Sequence, residues 1–167
     1  MIILGIDPGS RITGHGVIQV DGRKVKYLHS GAIKFVEGDD FFTRLKAIFN
    51  HGLALSQAYN PDILALESLI YVKNVSSLAK LAQARGAILS GILHHREIPV
   101  CEYAPNLIKS SVTGFGHSPK ESVGKALQLF FGKRDFQTSD ESDALAIALC
   151  HFLNAVPAHN KIRSLPC

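Results

Sequence analysis

Apolar and polar positions change period several times along this chain, and the changes predict its elements. Residues 1–6 (Met-Ile-Ile-Leu-Gly-Ile) are continuously apolar, the pattern of a strand buried on both faces. Pro8-Gly9-Ser10 breaks the run, and residues 13–20 form a second strand. Asp21-Gly22 is a hairpin signal. A third strand over about residues 23–35 alternates Val25, Tyr27, Ile33 and Phe35 with Lys24, Lys26 and Lys34. The period then lengthens: Phe42, Leu45, Phe49 and Leu53 mark a helix over about residues 40–58, stopped by Asn60-Pro61.

Residues 62–67 predict a fourth strand, about 76–96 a helix, and 99–104 a short fifth strand. Pro105 opens a helix ending near Gly114-Phe115-Gly116. Ser118-Pro119-Lys120-Glu121 has the form of a capping box and starts a helix to about Phe131. Thr138-Ser139-Asp140-Glu141 has the same form and starts a last helix over about 140–155. The sum is α/β: a mixed five-stranded sheet flanked by helices. The first strand should be central, with the fourth parallel beside it through a right-handed crossover. Residues 1–156 read as a single domain, and 157–167, with two prolines and no periodicity, as a flexible tail.

Four acids stand out against this pattern. Asp7 and Glu67 end apolar runs, where an unpaired charge is costly. On the expected sheet both fall at carboxyl ends of adjacent strands, where α/β sheets hold ligands. Asp140 and Asp143 share a face of the last helix at i and i+3, just before the small apolar stretch Ala144-Leu145-Ala146. Each acid alone has a plainer explanation, as turn, cap or exposed strand end. Together they form a hard-oxygen set suited to divalent cations and phosphodiester hydrolysis.

Composition sharpens the picture a little. The chain has 167 residues, 46% of them apolar, which suits one domain with a real core. Its 18 basic and 14 acidic side chains give a net charge of +4, and setting the four acids aside leaves a basic surplus that fits a polyanion and, as evenly, an ordinary mildly basic protein. The three cysteines show no zinc spacing; Cys101 and Cys150 read as buried thiols, weakly favouring a reducing cytoplasm. No membrane span is expected, and most of the eight histidines read as surface residues. Small residues Ala79, Ala82, Gly86, Ala87 and Gly91 on the helix over 76–96 suit close packing, on the sheet or on a two-fold partner.

The motifs carry a resemblance. Ile3-Leu4-Gly5-Ile6-Asp7-Pro8-Gly9-Ser10-Arg11 with Thr13-Gly14, then Ala65-Leu66-Glu67 with Lys73-Asn74, then Leu81-Ala82-Gln83-Ala84-Arg85-Gly86 resemble the RuvC family of bacterial Holliday junction resolvases. So do Tyr103-Ala104-Pro105 with Lys109, and Ser139-Asp140-Glu141-Ser142-Asp143-Ala144-Leu145-Ala146; the likeness runs in order over about residues 1–153. It implies an RNase H-like fold and a Mg²⁺-dependent endonuclease with two metal ions per site, Mn²⁺ being able to substitute. Asp7, Glu67, Asp140 and Asp143 fall on the family's catalytic, metal-holding acids, and Lys109 and Lys120 on basic residues near the cleaved strand.

The resemblance also implies a homodimer making paired, symmetric nicks in a four-way DNA junction, working with the branch-migration motor of RuvA and RuvB in recombination and repair. DNA contacts are expected from Arg11, Tyr71, Lys73, Asn74 and Arg85, with Lys125 a weaker candidate. The family often carries an aromatic three residues after the glutamate; here that position is Ile70 and Tyr71 follows it. The alternatives are an RNase H-like nuclease processing structured RNA, a lobe of an actin-like ATPase, and a junction-binding scaffold without catalysis. One lobe is too little to clamp a nucleotide, and four acids facing phosphate would not help a scaffold.

Overall fold

The computed structural model describes residues 1–35, 38–69 and 74–155. The element order is β1 (Ile2–Asp7), β2 (Ile12–Asp21), β3 (Lys24–Lys34), α1 (Phe41–Tyr59), β4 (Ile63–Glu67), α2 (Val75–His95), β5 (Val100–Tyr103), α3 (Pro105–Thr113), α4 (Lys120–Phe131) and α5 (Ser139–Ala155). The five strands form one mixed sheet in the order β3-β2-β1-β4-β5. β1 is central, antiparallel to β2 and parallel to β4, as its unbroken apolar run requires. The expected tail at 157–167 lies outside the described residues.

Two cores lie on the two faces of the sheet. Ile3, Ile18 and Ala65 pack under Leu145, Ile147 and Leu149 of α5, with Ile108 of α3 and Leu127 of α4. Leu4, Ile6, Leu64 and Leu66 pack on Ile48 and Leu55 of α1 and Ile88 and Ile92 of α2. Asp40 caps α1, its carboxylate accepting from the amides of Phe42 (2.9 Å) and Thr43 (3.0 Å), and Asn60 ends the helix in the left-handed region at φ 43°.

Several local expectations are corrected. The apolar alternation of β3 is not continuous, because the pairing with β2 slips between Val17↔His29 and Ile18↔Tyr27. Leu28 is the extra residue, and it reverses the faces: Val25 and Tyr27 join the α5 side, Phe35 the α1 side. The capping box at Ser118 does not form. Pro119 is the N-cap of α4 without a side-chain bond, and the Ser118 hydroxyl donates instead to the Phe115 carbonyl (2.7 Å). At α5 half the box forms: the Glu141 amide donates to Thr138 Oγ1 (3.1 Å), while the Glu141 carboxylate turns inward.

The histidines are corrected as well. His15 and His151 are buried, and His29 and His51 are half-buried, while His94, His95 and His117 are exposed. The small residues of α2 divide their work. A Cβ on Gly91 would lie 2.1 Å from the Phe49 carbonyl oxygen, so Gly91 serves the contact with α1, whereas Ala79, Ala82 and Gly86 are exposed.

Candidate active site

Register brings the acids to one edge of the sheet. Ile6 pairs with Leu66 across parallel strands about 4.8 Å apart, and Asp7 and Glu67 are the next residue on each. Alternate residues of a strand return to one face. Ile3 and Ala65 face α5, so Asp7 and Glu67 face it too. On the other side Asp7 pairs with Gly14. A Cβ on Gly14 would lie 2.0 Å from the Asp140 carbonyl oxygen, so the first turn of α5 rests on the residue beside Asp7. The same helix meets Gly5 at the Ala144 carbonyl oxygen (2.2 Å from a built Cβ) and Gly16 at Leu145 Cα (2.6 Å). These strand glycines, missed as packing signals in the sequence, let α5 lie on the backbone of β1 and β2.

A cleft of about 240 Å³ opens at this edge. Glu67, Asp143 and Lys109 supply its charges, and Pro105, Ile108, Val123, Ala146 and Ile147 its apolar walls. Asp7, Glu67, Asp140 and Asp143 are all half-buried. Asp7, Glu67 and Asp143 each have further interactions, and none is unpartnered. Among the described residues, no three His, Cys, Asp or Glu side chains gather closely enough to hold a metal ion by themselves. The placement and the hard-oxygen chemistry fit a divalent cation; complete enclosure would need added ligands such as water or phosphate oxygens.

Two supports of the edge escaped the sequence reading. Glu141 is 7% exposed, and its carboxylate accepts from Ser30 Oγ (2.6 Å) and the Gln137 amide (2.8 Å). It ties the start of α5 to β3, between the two aspartates of that helix. Tyr103, the register partner of Glu67, meets His151 Nδ1 through its hydroxyl at 2.7 Å. Burial pulls the His151 pKa below its ordinary value.

The basic candidates separate. Lys109 lines the cleft. Arg85 does not stand on the surface: its guanidinium donates to the Glu67 carbonyl (2.6 Å) and to the Glu102 carboxylate (2.5 Å), with the side chain 8% exposed. A phosphate contact from Arg85 is therefore replaced by a hold on the backbone of Glu67. Asn74 caps α2, accepting from the Ser77 amide (3.1 Å). Arg11 lies in a second depression, with Lys34 and Arg44. Lys125 is exposed on α4. Ile70, Tyr71, Lys73 and the side chain of Lys120 lie outside the described residues.

Comparison with known proteins identifies one family. Residues 3–151 match the family model described as crossover junction endodeoxyribonuclease RuvC. A protein of that name from Shewanella loihica is 44% identical over 151 residues, covering 90% of this chain and 86% of the relative. One from Haemophilus influenzae is 43% identical over 150 residues, covering 90% and 78%. The structure of Thermus thermophilus RuvC in complex with a Holliday junction substrate superposes with a TM-score of 0.85 at 30% identity, covering 93% of this chain and 95% of the other.

Proposed function

This chain belongs to the RuvC family of crossover junction endodeoxyribonucleases, and from that premise we propose that it resolves four-way DNA junctions by hydrolysing phosphodiester bonds. Its sheet and flanking helices form the RNase H-like fold. The observation that carries the reading is the meeting of β1, β4 and α5, which sets Asp7, Glu67, Asp140 and Asp143 around one edge.

In this proposal the four acids would hold two Mg²⁺ ions, with Mn²⁺ as a substitute. When bound, such ions polarise the attacking water and stabilise the departing 3′ oxygen. Asp7, between the β4 and α5 acids, would help to hold both ions. Glu67 would serve one side, and Asp140 with Asp143 the other. Lys109 would place its ammonium against the phosphate and offset the charge that builds there. Lys120, first residue of α4, is assigned the same work from the resemblance.

The chain is further proposed to act as a cytoplasmic homodimer in recombination and repair, with RuvA and RuvB as partners. A two-fold dimer suits paired nicks because it presents two identical sites to a symmetric junction. The exposed stripe of Ala79, Ala82 and Gly86 on α2 allows close approach of a second helix. No described helix is long and apolar enough to cross a membrane.

The test is nicking of a synthetic four-way junction, with Mg²⁺ and with chelator. Paired nicks are expected only with the metal. Asp7→Asn should abolish cutting while junction binding persists. Cutting by Asp7→Asn at the normal rate would overturn the assignment of Asp7.

A further inference from the structure

One exposed aromatic side chain, on the loop that follows the helix of the cleft lysine, has no role in the site described above. Phe115 is 66% exposed, in the loop joining α3 and α4, which with α5 supply helical residues to the cleft.

Its backbone is held while its ring is left in water. The Phe115 amide donates to Thr113 Oγ1 (3.2 Å), and its carbonyl accepts from the Ser118 amide (3.2 Å) and hydroxyl (2.7 Å). The Thr113 hydroxyl in turn donates to the carbonyl of Lys109 (2.8 Å). Gly114 takes φ 82°, a left-handed turn that ends α3 and sends the chain outward. His117 meets the Phe115 ring edge-on at 6.2 Å. Residues of α3 and the loop therefore connect the backbone of the cleft lysine to an outward ring by short bonds. The mounting limits the ordering cost of landing a ligand on that ring.

We propose that Phe115 is a stacking platform for a nucleobase of the strand whose phosphate enters the cleft. The inference rests on the junction-cutting reading, which supplies the DNA. Charge complementarity favours this occupant: Lys109 lines the cleft and suits a phosphodiester backbone there, and a base of the same strand would offer a flat π face to the ring on the loop after α3. Stacking of this kind tolerates any base, so it would anchor the strand without choosing its sequence.

The experiment uses the full chain and a synthetic four-way junction with single 5-iododeoxyuridines placed around the nick sites. In the Asp7→Asn background, photocrosslinking should join one such base to Phe115. Phe115→Leu, which keeps apolar bulk without the ring, should weaken junction binding about tenfold, within the range for loss of one base–aromatic stack. Phe115→Tyr should bind as the unaltered protein does. Neither change should alter the salt dependence of binding, because no phosphate contact is lost. Wild-type nicking combined with unchanged binding by Phe115→Leu, or with crosslinks that all map elsewhere, would overturn the platform alone. Failure of the wild-type chain to nick the junction with Mg²⁺ would sink the parent reading and the platform with it.

Discussion

Gly14 and Asp140 are in backbone contact: a Cβ on the glycine would lie 2.0 Å from the Asp140 carbonyl oxygen and 2.4 Å from its carbonyl carbon. Both obstacles are main chain, so no side-chain rotation relieves them. Gly14→Ala should push the first turn of α5 off β2, at a cost of about 1–3 kcal/mol in stability, the range for overpacking. Activity should fall further than that loss explains, because Asp140 and Asp143 move with the turn while Asp7 stays. Thermal unfolding and junction nicking, measured on the same preparation well below its Tm, check this. Full activity in a stable Gly14→Ala protein would show that α5 need not lie so close.

Arg85 offers a second test, reaching Glu67 through its main chain. Its guanidinium bridges the Glu67 carbonyl and the Glu102 carboxylate at the ends of β4 and β5. Arg85→Leu keeps stem volume but leaves that carbonyl without this donor, so stability should fall by about 1–3 kcal/mol. The half-exposed Glu102 adds little to the cost, since water solvates it. Loosening the Glu67 backbone should raise the Mg²⁺ concentration needed for half-maximal nicking, an effect that lost stability alone does not predict. Binding of the junction without metal should hold, since the buried guanidinium touches no phosphate. An unchanged Mg²⁺ requirement would reduce Arg85 to a structural brace.

Arg85 also shows why some of the candidate site was legible in sequence and some was not. Asp7 and Glu67 declared themselves locally, each ending an apolar run, and Asp140 and Asp143 by their helical spacing before a small apolar stretch. The central place of β1 followed from its unbroken hydrophobicity. Arg85 looked like a surface cation among its neighbours in sequence. Yet Ile88 and Ile92, three and seven residues on, set it on the inward stripe of α2. Glu141 resembled a capping residue because its partner Ser30 is 111 positions away. The bulge at Leu28 could not be foreseen from alternation, which records period but not slips of register. Contacts that depend on which strand pairs with which residue lie beyond what a single chain's pattern encodes.

The least legible cluster gives the last prediction. His15 of β2, His29 of β3 and His51 of α1 meet on the sheet face away from the acids, with His15 Nδ1 3.1 Å from His51 Nε2 and the His15 and His29 rings stacked at 5.2 Å. Tyr59 of α1 stacks on His29 at 5.6 Å. Burial, reinforced by the neighbouring His51 and His29, lowers the His15 pKa from 6.5 to about 3, and burial lowers that of His51 as well. The folded protein thus holds His15 neutral where the unfolded chain would protonate it. Above pH 6.5 neither state binds that proton, and this contribution to stability is complete. As pH falls below 6.5 the unfolded state gains the proton first, so stability declines until pH approaches 3, where the folded protein also takes it up. At pH 5 the loss from His15 alone should be about 2 kcal/mol. Denaturant unfolding between pH 7 and 5 should show that decline, and His15→Gln, which cannot titrate, should flatten it. Parallel stability profiles for the two proteins would mean that His15 takes up its proton as readily folded as unfolded.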